Sequence, residues 1–134
     1  MKIIILGAGQ VGASVAENLV SEANDITLVD TSAEHLAMLR DRLEVRTVCG
    51  NAASPKVLRE AGADDADLLI AVTQSDQTNL CACRIAKVLF NLPTRIARLR
   101  STDYVDYPEL LDDSNFAVDF SICPEQVVTD YIKR

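Results

Sequence analysis

Residues 3–12 read Ile-Ile-Ile-Leu-Gly-Ala-Gly-Gln-Val-Gly, and residues 26–30 read Ile-Thr-Leu-Val-Asp. The first stretch is an apolar strand running into Gly7, Gly9 and Gly12 at the G-x-G-x-x-G spacing. The three glycines differ in what they do. Gly7 turns the chain sharply out of the strand, Gly9 leaves room for backbone to approach a pyrophosphate, and Gly12 lets the next helix pack against the sheet. That helix would present free N–H groups and a partial positive charge to the phosphates. Asp30 follows Gly12 by 18 residues, where a carboxylate can accept hydrogen bonds from both ribose hydroxyls of an adenosine. It repels a 2′-phosphate, so the site favours NAD(H), or an adenine nucleotide with free ribose hydroxyls, over NADP. The glycines alone would also suit a tight strand–helix turn in a fold that binds nothing. Asp30 is the independent element that argues for a ligand.

Outward from this motif the chain alternates regularly. Strands are expected over 2–6, 26–30, 45–49, 67–72, 95–99 and 117–122, with helices over 10–22, 33–43, 54–61, 76–90 and 104–112 between them. Val11, Val15, Ala16 and Leu19 share one helix face, as do Leu36, Leu39 and Leu43 on the next helix. Ser54-Pro55 reads as an N-cap followed by proline at the first helical position, and Gly62 closes that helix. Asp67–Val72 is apolar after its first residue, as a central parallel strand should be. The pattern predicts an α/β fold: a Rossmann-type, doubly wound, six-stranded parallel sheet of order 3-2-1-4-5-6. Residues 1–123 form the nucleotide-binding domain. Pro124 opens a last helix over 124–134, the start of a crossover or dimerisation helix in what reads as one domain of a longer protein.

Bulk properties narrow the function. The 134 residues carry a net charge of −7, which excludes a nucleic-acid backbone as the natural partner. No apolar run reaches the ~18–20 residues of a membrane-spanning helix, and no export signal is recognisable, so a cytoplasmic protein without direct membrane insertion is expected. Cys49, Cys81, Cys83 and Cys123 read as buried, reduced thiols. The spacing of Cys81 and Cys83 points them to different helix faces, a poor metal clip, and no metal site is expected.

Ligands in this fold lie beyond the carboxyl ends of the strands. Asn51 there could reach an adenine edge. Thr73, Gln74, Ser75 and Asp76 fall beside the expected pyrophosphate and second ribose, although Thr73, Ser75 and Asp76 could equally cap the next helix. Arg98 and Arg100 could meet a phosphate or the nicotinamide-side ribose, with Arg100 better suited to pairing with surface acids. The only histidine, His35, suits a solvated helix position better than an adenosine contact. Hydride transfer would need a placed acid or base. Tyr104, Tyr107 and Tyr131 have no lysine at a catalytic spacing, so no catalytic residue is expected. The chain is equipped to hold a dinucleotide and not to react it. The alternative is the cofactor domain of an NAD-dependent dehydrogenase lacking its substrate domain.

Five blocks together resemble the RCK N-terminal (KTN) domain: M-K-I-I-I-L-G-A-G-Q-V-G at 1–12, L-V-D at 28–30, G-N-A at 50–52, A-V-T-Q-S-D-Q-T-N at 71–79 and R-I-A-R-L-R at 95–100. The resemblance implies a nucleotide held by Gly7, Ala8, Gly9, Gln10, Val11, Gly12, Asp30, Asn51, Ala52, Thr73, Gln74 and Arg98, with Arg100 as a further phosphate contact. Asn51 departs from the aspartate that many members carry. The family further implies a regulatory, non-enzymatic domain that pairs through helices near 76–112 and the helix after Pro124. It assembles as a homo-oligomer, a dimer or ring, beneath a membrane potassium-transporter subunit, peripheral on the inner face of the cell membrane. Ligands such as NADH and NAD, or ATP and ADP, would shift that assembly through their differential affinity for its two states.

Overall fold

The computed structural model describes residues 1–21 and 23–123. Six parallel strands form one sheet: β1 (Lys2–Leu6), β2 (Asp25–Asp30), β3 (Arg46–Cys49), β4 (Leu68–Ala71), β5 (Thr94–Arg98) and β6 (Phe120–Ile122). Their order is β3-β2-β1-β4-β5-β6, the doubly wound order expected from the alternation. Between them run α1 (Gln10–Leu19), α2 (Ala33–Arg42), α3 (Pro55–Glu60), α4 (Asp76–Phe90) and α5 (Thr102–Val105), with a 3-10 turn at Pro108–Leu111. The helix expected from Pro124 lies outside the described residues.

Side chains alternate across the sheet and make two cores. Ile4, Leu6, Leu69 and Ala71 join Leu58, Leu80 and Ala86 of α3 and α4 on one face. Ile3, Ile5, Leu28 and Ile70 join Ala16, Leu36 and Leu39 of α1 and α2 on the other. Both faces are covered, which is why the central strands read as unbroken apolar runs. The two windings separate between β1 and β4, paired from Ile3↔Leu68 to Leu6↔Ala71. Beyond that pair the chain leaves the sheet in opposite senses, and a crevice opens.

Three boundaries differ from expectation, each for a local reason. α1 stops at Leu19 because Val20 is extended and the Asn24 side-chain amide donates to the Leu19 carbonyl at 2.8 Å. The helix expected over 104–112 is two pieces, α5 and the 3-10 turn, parted where Pro108 cannot continue the hydrogen-bond ladder. β6 begins at Phe120, since Ala117 adopts φ +60° and the Val118 amide turns back to the Leu111 carbonyl at 2.9 Å. That bend is held by Arg95, which is 2% exposed and donates from Nε to the Ala117 carbonyl at 2.6 Å while pairing with Asp113 and Asp119.

The cysteine expectation is corrected. Only Cys83 is buried; Cys49 and Cys81 are exposed and Cys123 is half-buried. Cys49 ends a strand at the sheet edge, where no layer covers it. Cys81 and Cys83 do fall on opposite faces of α4. Burial pushes the Cys83 thiol up to about 12.

Candidate functional site

A cleft of about 640 Å³ opens over the carboxyl ends of β1, β2, β3, β4 and β5. Its floor is the turn from β1 into α1. Gly7 sits at φ +110°, a conformation that side chains disfavour, and the turn brings α1 so close to β1 that a Cβ on Gly12 would fall inside the Gly7 carbonyl. A Cβ on Gly9 would meet nothing and would project into open space. The glycine pattern therefore yields one residue that makes the turn, one that seats the helix and one that leaves the approach clear.

The helix ends sharpen the point. Serine side chains cap α2, α3, α4 and α5, namely Ser32, Ser54, Ser75 and Ser101. α1 has Gly9 at its N-cap and no side-chain cap bond. Among the described residues no side-chain oxygen meets its first-turn N–H groups, which leaves them to a phosphate or water.

On the β2 side the polar groups are already engaged. Asp30 accepts from the Ala8 amide at 2.6 Å through one carboxylate oxygen and from the Ser32 amide at 2.7 Å through the other. Each oxygen keeps a lone pair for a ligand donor. Asn51 closes on itself, its Oδ1 accepting from the Ala53 amide at 2.8 Å, and among the described residues its NH₂ group remains open as a donor.

On the β4–β5 side Thr73 follows β4 and Arg98 ends β5. Arg98 shares its sheet face with Ile96, and its half-buried side chain lines the cleft. Among the described residues Arg98 Nε is buried and has no hydrogen-bond partner. A buried donor without an acceptor costs about 1–3 kcal/mol, more if charged. An anionic ligand in the cleft would offset that cost, so the donor set present fits a nucleotide phosphate.

Of the sequence-derived site residues, Gly7, Gly9, Gln10, Val11, Asp30, Asn51, Ala52, Thr73, Gln74 and Arg98 line this one cleft. Three do not. Ala8 is buried with its amide committed to Asp30. Gly12 lies beneath the turn. The Arg100 side chain is exposed, while its backbone amide donates to Asp76 at 2.9 Å. Thr31, Ser32, Gly50 and Thr78 also line the cleft, together with His35. Ser32 could have been read from its place before α2, because a serine N-cap there must sit beside the strand-end acid.

Strand order, crevice and glycine turn define a Rossmann-type nucleotide-binding fold. Residues 3–116 match the TrkA-N domain model, and the chain belongs to that family. It is 56% identical over 135 residues to the Trk system potassium uptake protein TrkA of Vibrio alginolyticus, covering 100% of this chain and 30% of that protein. The chain thus spans less than a third of the length of such relatives. Among solved structures, the TrkA-N domain of the inner membrane protein ybaL from Escherichia coli superposes with a TM-score of 0.81 at 23% identity, covering 98% of this chain and 93% of that one. The GsuK channel bound to NAD gives 0.78 at 18% identity over 97% of this chain and 22% of that one. The form of GsuK bound to ADP gives 0.77 at 18% identity over 97% and 33%. At these identities the likeness to solved structures is one of fold.

Proposed function

We propose that this chain is the nucleotide-sensing domain of a regulatory subunit in a potassium-uptake system, and not an enzyme. The observation that carries the reading is the uncapped N-terminus of α1 and Asp30 lining one cleft, an arrangement suited to a phosphate beside a ribose. Likeness to whole TrkA proteins supports the potassium-uptake context. The ligand is NAD(H), or ATP and ADP as the alternative pair; the NAD and ADP carried by the GsuK channel support both.

Phosphates sit on the Gly7–Gly12 turn, with the adenosine ribose on Asp30 and its base beside Asn51 and Ala52. The remaining phosphate or ribose meets Thr73, Gln74 and Arg98, and Arg100 reaches only a ligand that extends beyond the cleft. The partner is a membrane potassium-transporter subunit of the TrkH or TrkG kind, met from the cytoplasmic face. Among the described residues no helix is long and apolar enough to cross a membrane. Val88 and Leu89 stand exposed on α4, which supports pairing of copies through that helix into a dimer or ring. Ligand control of the transporter then follows from unequal affinity for two assembly states.

Calorimetric titration of the chain with NADH, NAD, ATP and ADP tests the reading. Unequal affinities without turnover are expected. Oxidation of NADH in the presence of a small substrate would overturn the regulatory role in favour of a dehydrogenase.

A further inference from the structure

We propose that Asn79 is a positioning residue for the ligand, holding Thr73 and Arg98 in the geometry in which the β4–β5 side of the cleft binds. This rests on the nucleotide-binding reading above and assigns the part of the site that Asn79 controls.

Asn79 lies in the first turns of α4, is 0% exposed, and does not itself line the cleft. An asparagine is a poor choice for a helix interior and a costly one for a core unless its amide is fully used. Here it is. Its Oδ1 accepts from the Thr73 amide at 3.0 Å and from the Thr73 hydroxyl at 2.7 Å. Its Nδ2 donates to the Thr73 carbonyl at 3.1 Å and to the Arg98 carbonyl at 2.9 Å. All four bonding positions of the carboxamide are filled, and all four go to the two residues that flank this side of the cleft.

The location explains the need. The β4–β5 ladder runs only to Ala71↔Ala97, and beyond it β5 bonds outward, Leu99 donating to the Ile122 carbonyl of β6 at 2.9 Å. At the level of Thr73 and Arg98 the Asn79 side chain replaces the ladder. One turn earlier Asp76 accepts from the Arg100 and Ser101 amides at 2.9 and 2.8 Å, so the start of α4 grips β5 and the residues after it at successive points. Arg98 Nε has no partner among the described residues. With no side-chain bond at Nε to aim it, Arg98 depends on where its backbone sits, and that backbone is held between β6 on one side, where Arg98 pairs with Ile122, and Asn79 on the other.

A ligand that spans the cleft should feel Asn79, and one confined to the Asp30 side should not. The test compares NADH with AMP on the 134-residue chain and on Asn79→Asp and Asn79→Ala, by calorimetry with thermal denaturation alongside. Asn79→Asp keeps the acceptor for Thr73 but sets an oxygen against two carbonyls. The expected result is an affinity for NADH lowered by about tenfold or more in both variants, with AMP changed by less than about twofold. Equal losses for the two ligands, or unchanged NADH affinity in a folded variant, would overturn the proposal. Should neither variant fold, the side-chain amide resonances of Asn79 in the unsubstituted chain decide. They should shift with NADH and not with AMP, and an equal response to both counts against the assignment. If the unsubstituted chain binds neither nucleotide, the nucleotide-binding reading itself falls and takes this inference with it.

Discussion

The two sides of the cleft differ in how far the protein satisfies its own polar groups. On the β1–β3 side, Asp30 holds two backbone amides and Asn51 closes its own turn, so charge and geometry are set before any ligand arrives. On the β4–β5 side, a network centred on Asn79 fixes the backbone, yet Arg98 brings in a buried donor that no described group meets. One side is preformed, its groups anchored by the protein with bonding positions kept open for a ligand; the other is preformed in its frame but carries a buried donor without a partner at its tip. The lesson is a division of labour. The first side recognises what all adenosine ligands share, and the second responds to what distinguishes them.

The largest effect should come from the turn common to both sides. A Cβ at Gly12 meets the backbone carbonyl of Gly7, which cannot step aside without lifting α1 from the sheet. Gly12→Ala is expected to cost about 3 kcal/mol in urea denaturation, the upper range for forcing atoms into a packed site, and to abolish nucleotide binding. An unchanged midpoint would mean that α1 is not seated as described. Next comes Asp30→Ala. Removing an ionised acceptor should weaken NADH and AMP together, by about 1.5–3 kcal/mol each. The variant also strands the Ala8 and Ser32 amides, so its thermal midpoint should fall even without ligand. A loss confined to NADH would place the adenosine elsewhere and break the comparison.

Arg98→Met should behave in the opposite way. It removes a guanidinium whose buried Nε meets no described group, so NADH is expected to weaken by about 1.5 kcal/mol while AMP is unaffected. Without ligand the thermal midpoint should hold or rise, because the buried orphan has gone. A lower midpoint would reveal a protein partner for Arg98 and remove the asymmetry between the two sides.

Most of the fold was legible because its signals are local. Apolar runs, a glycine turn and serine caps each report on their own few residues, and parallel topology limits the ways of joining them. Of the boundary differences, the break at Pro108 is local too, while the other two depend on bonds that reach beyond the element they end. Residue Asn24 ends α1 from five residues away, and Arg95 reaches across 22 residues to fix the bend at Ala117. Neither bond has a signature in periodicity. Most of the residues that line the cleft were legible because strand ends announce themselves. Asn79 stood out only as part of the block after β4, since its partners become neighbours when β4 and β5 lie side by side. Cys49 and Cys81 were misjudged because a cysteine's burial depends on whether another layer covers it, which the residues beside it do not say.

Thiol chemistry offers the mildest way to probe the same contrast. Cys49 is exposed at the end of β3, on the Asp30 side, whereas Cys83 is buried beneath the β4–β5 side. At pH 8 a thiol reagent should modify Cys49 and Cys81 in the folded chain and reach Cys83 only on unfolding. The pH dependence has a definite sign. Burial raises the Cys83 thiol from 9.0 to about 12, so the folded state holds a proton that the unfolded state releases. The resulting stabilisation is fully present below about pH 9 and is lost as pH rises toward about 12. Between pH 9 and pH 10 the loss amounts to about 1 kcal/mol, and comparison with Cys83→Ala isolates it from the titration of lysines and tyrosines. Identical profiles for the two proteins, or ready labelling of Cys83 at pH 8, would show that the layer under α4 opens in the native state, and the β4–β5 frame would then be less rigid than the β1–β3 side.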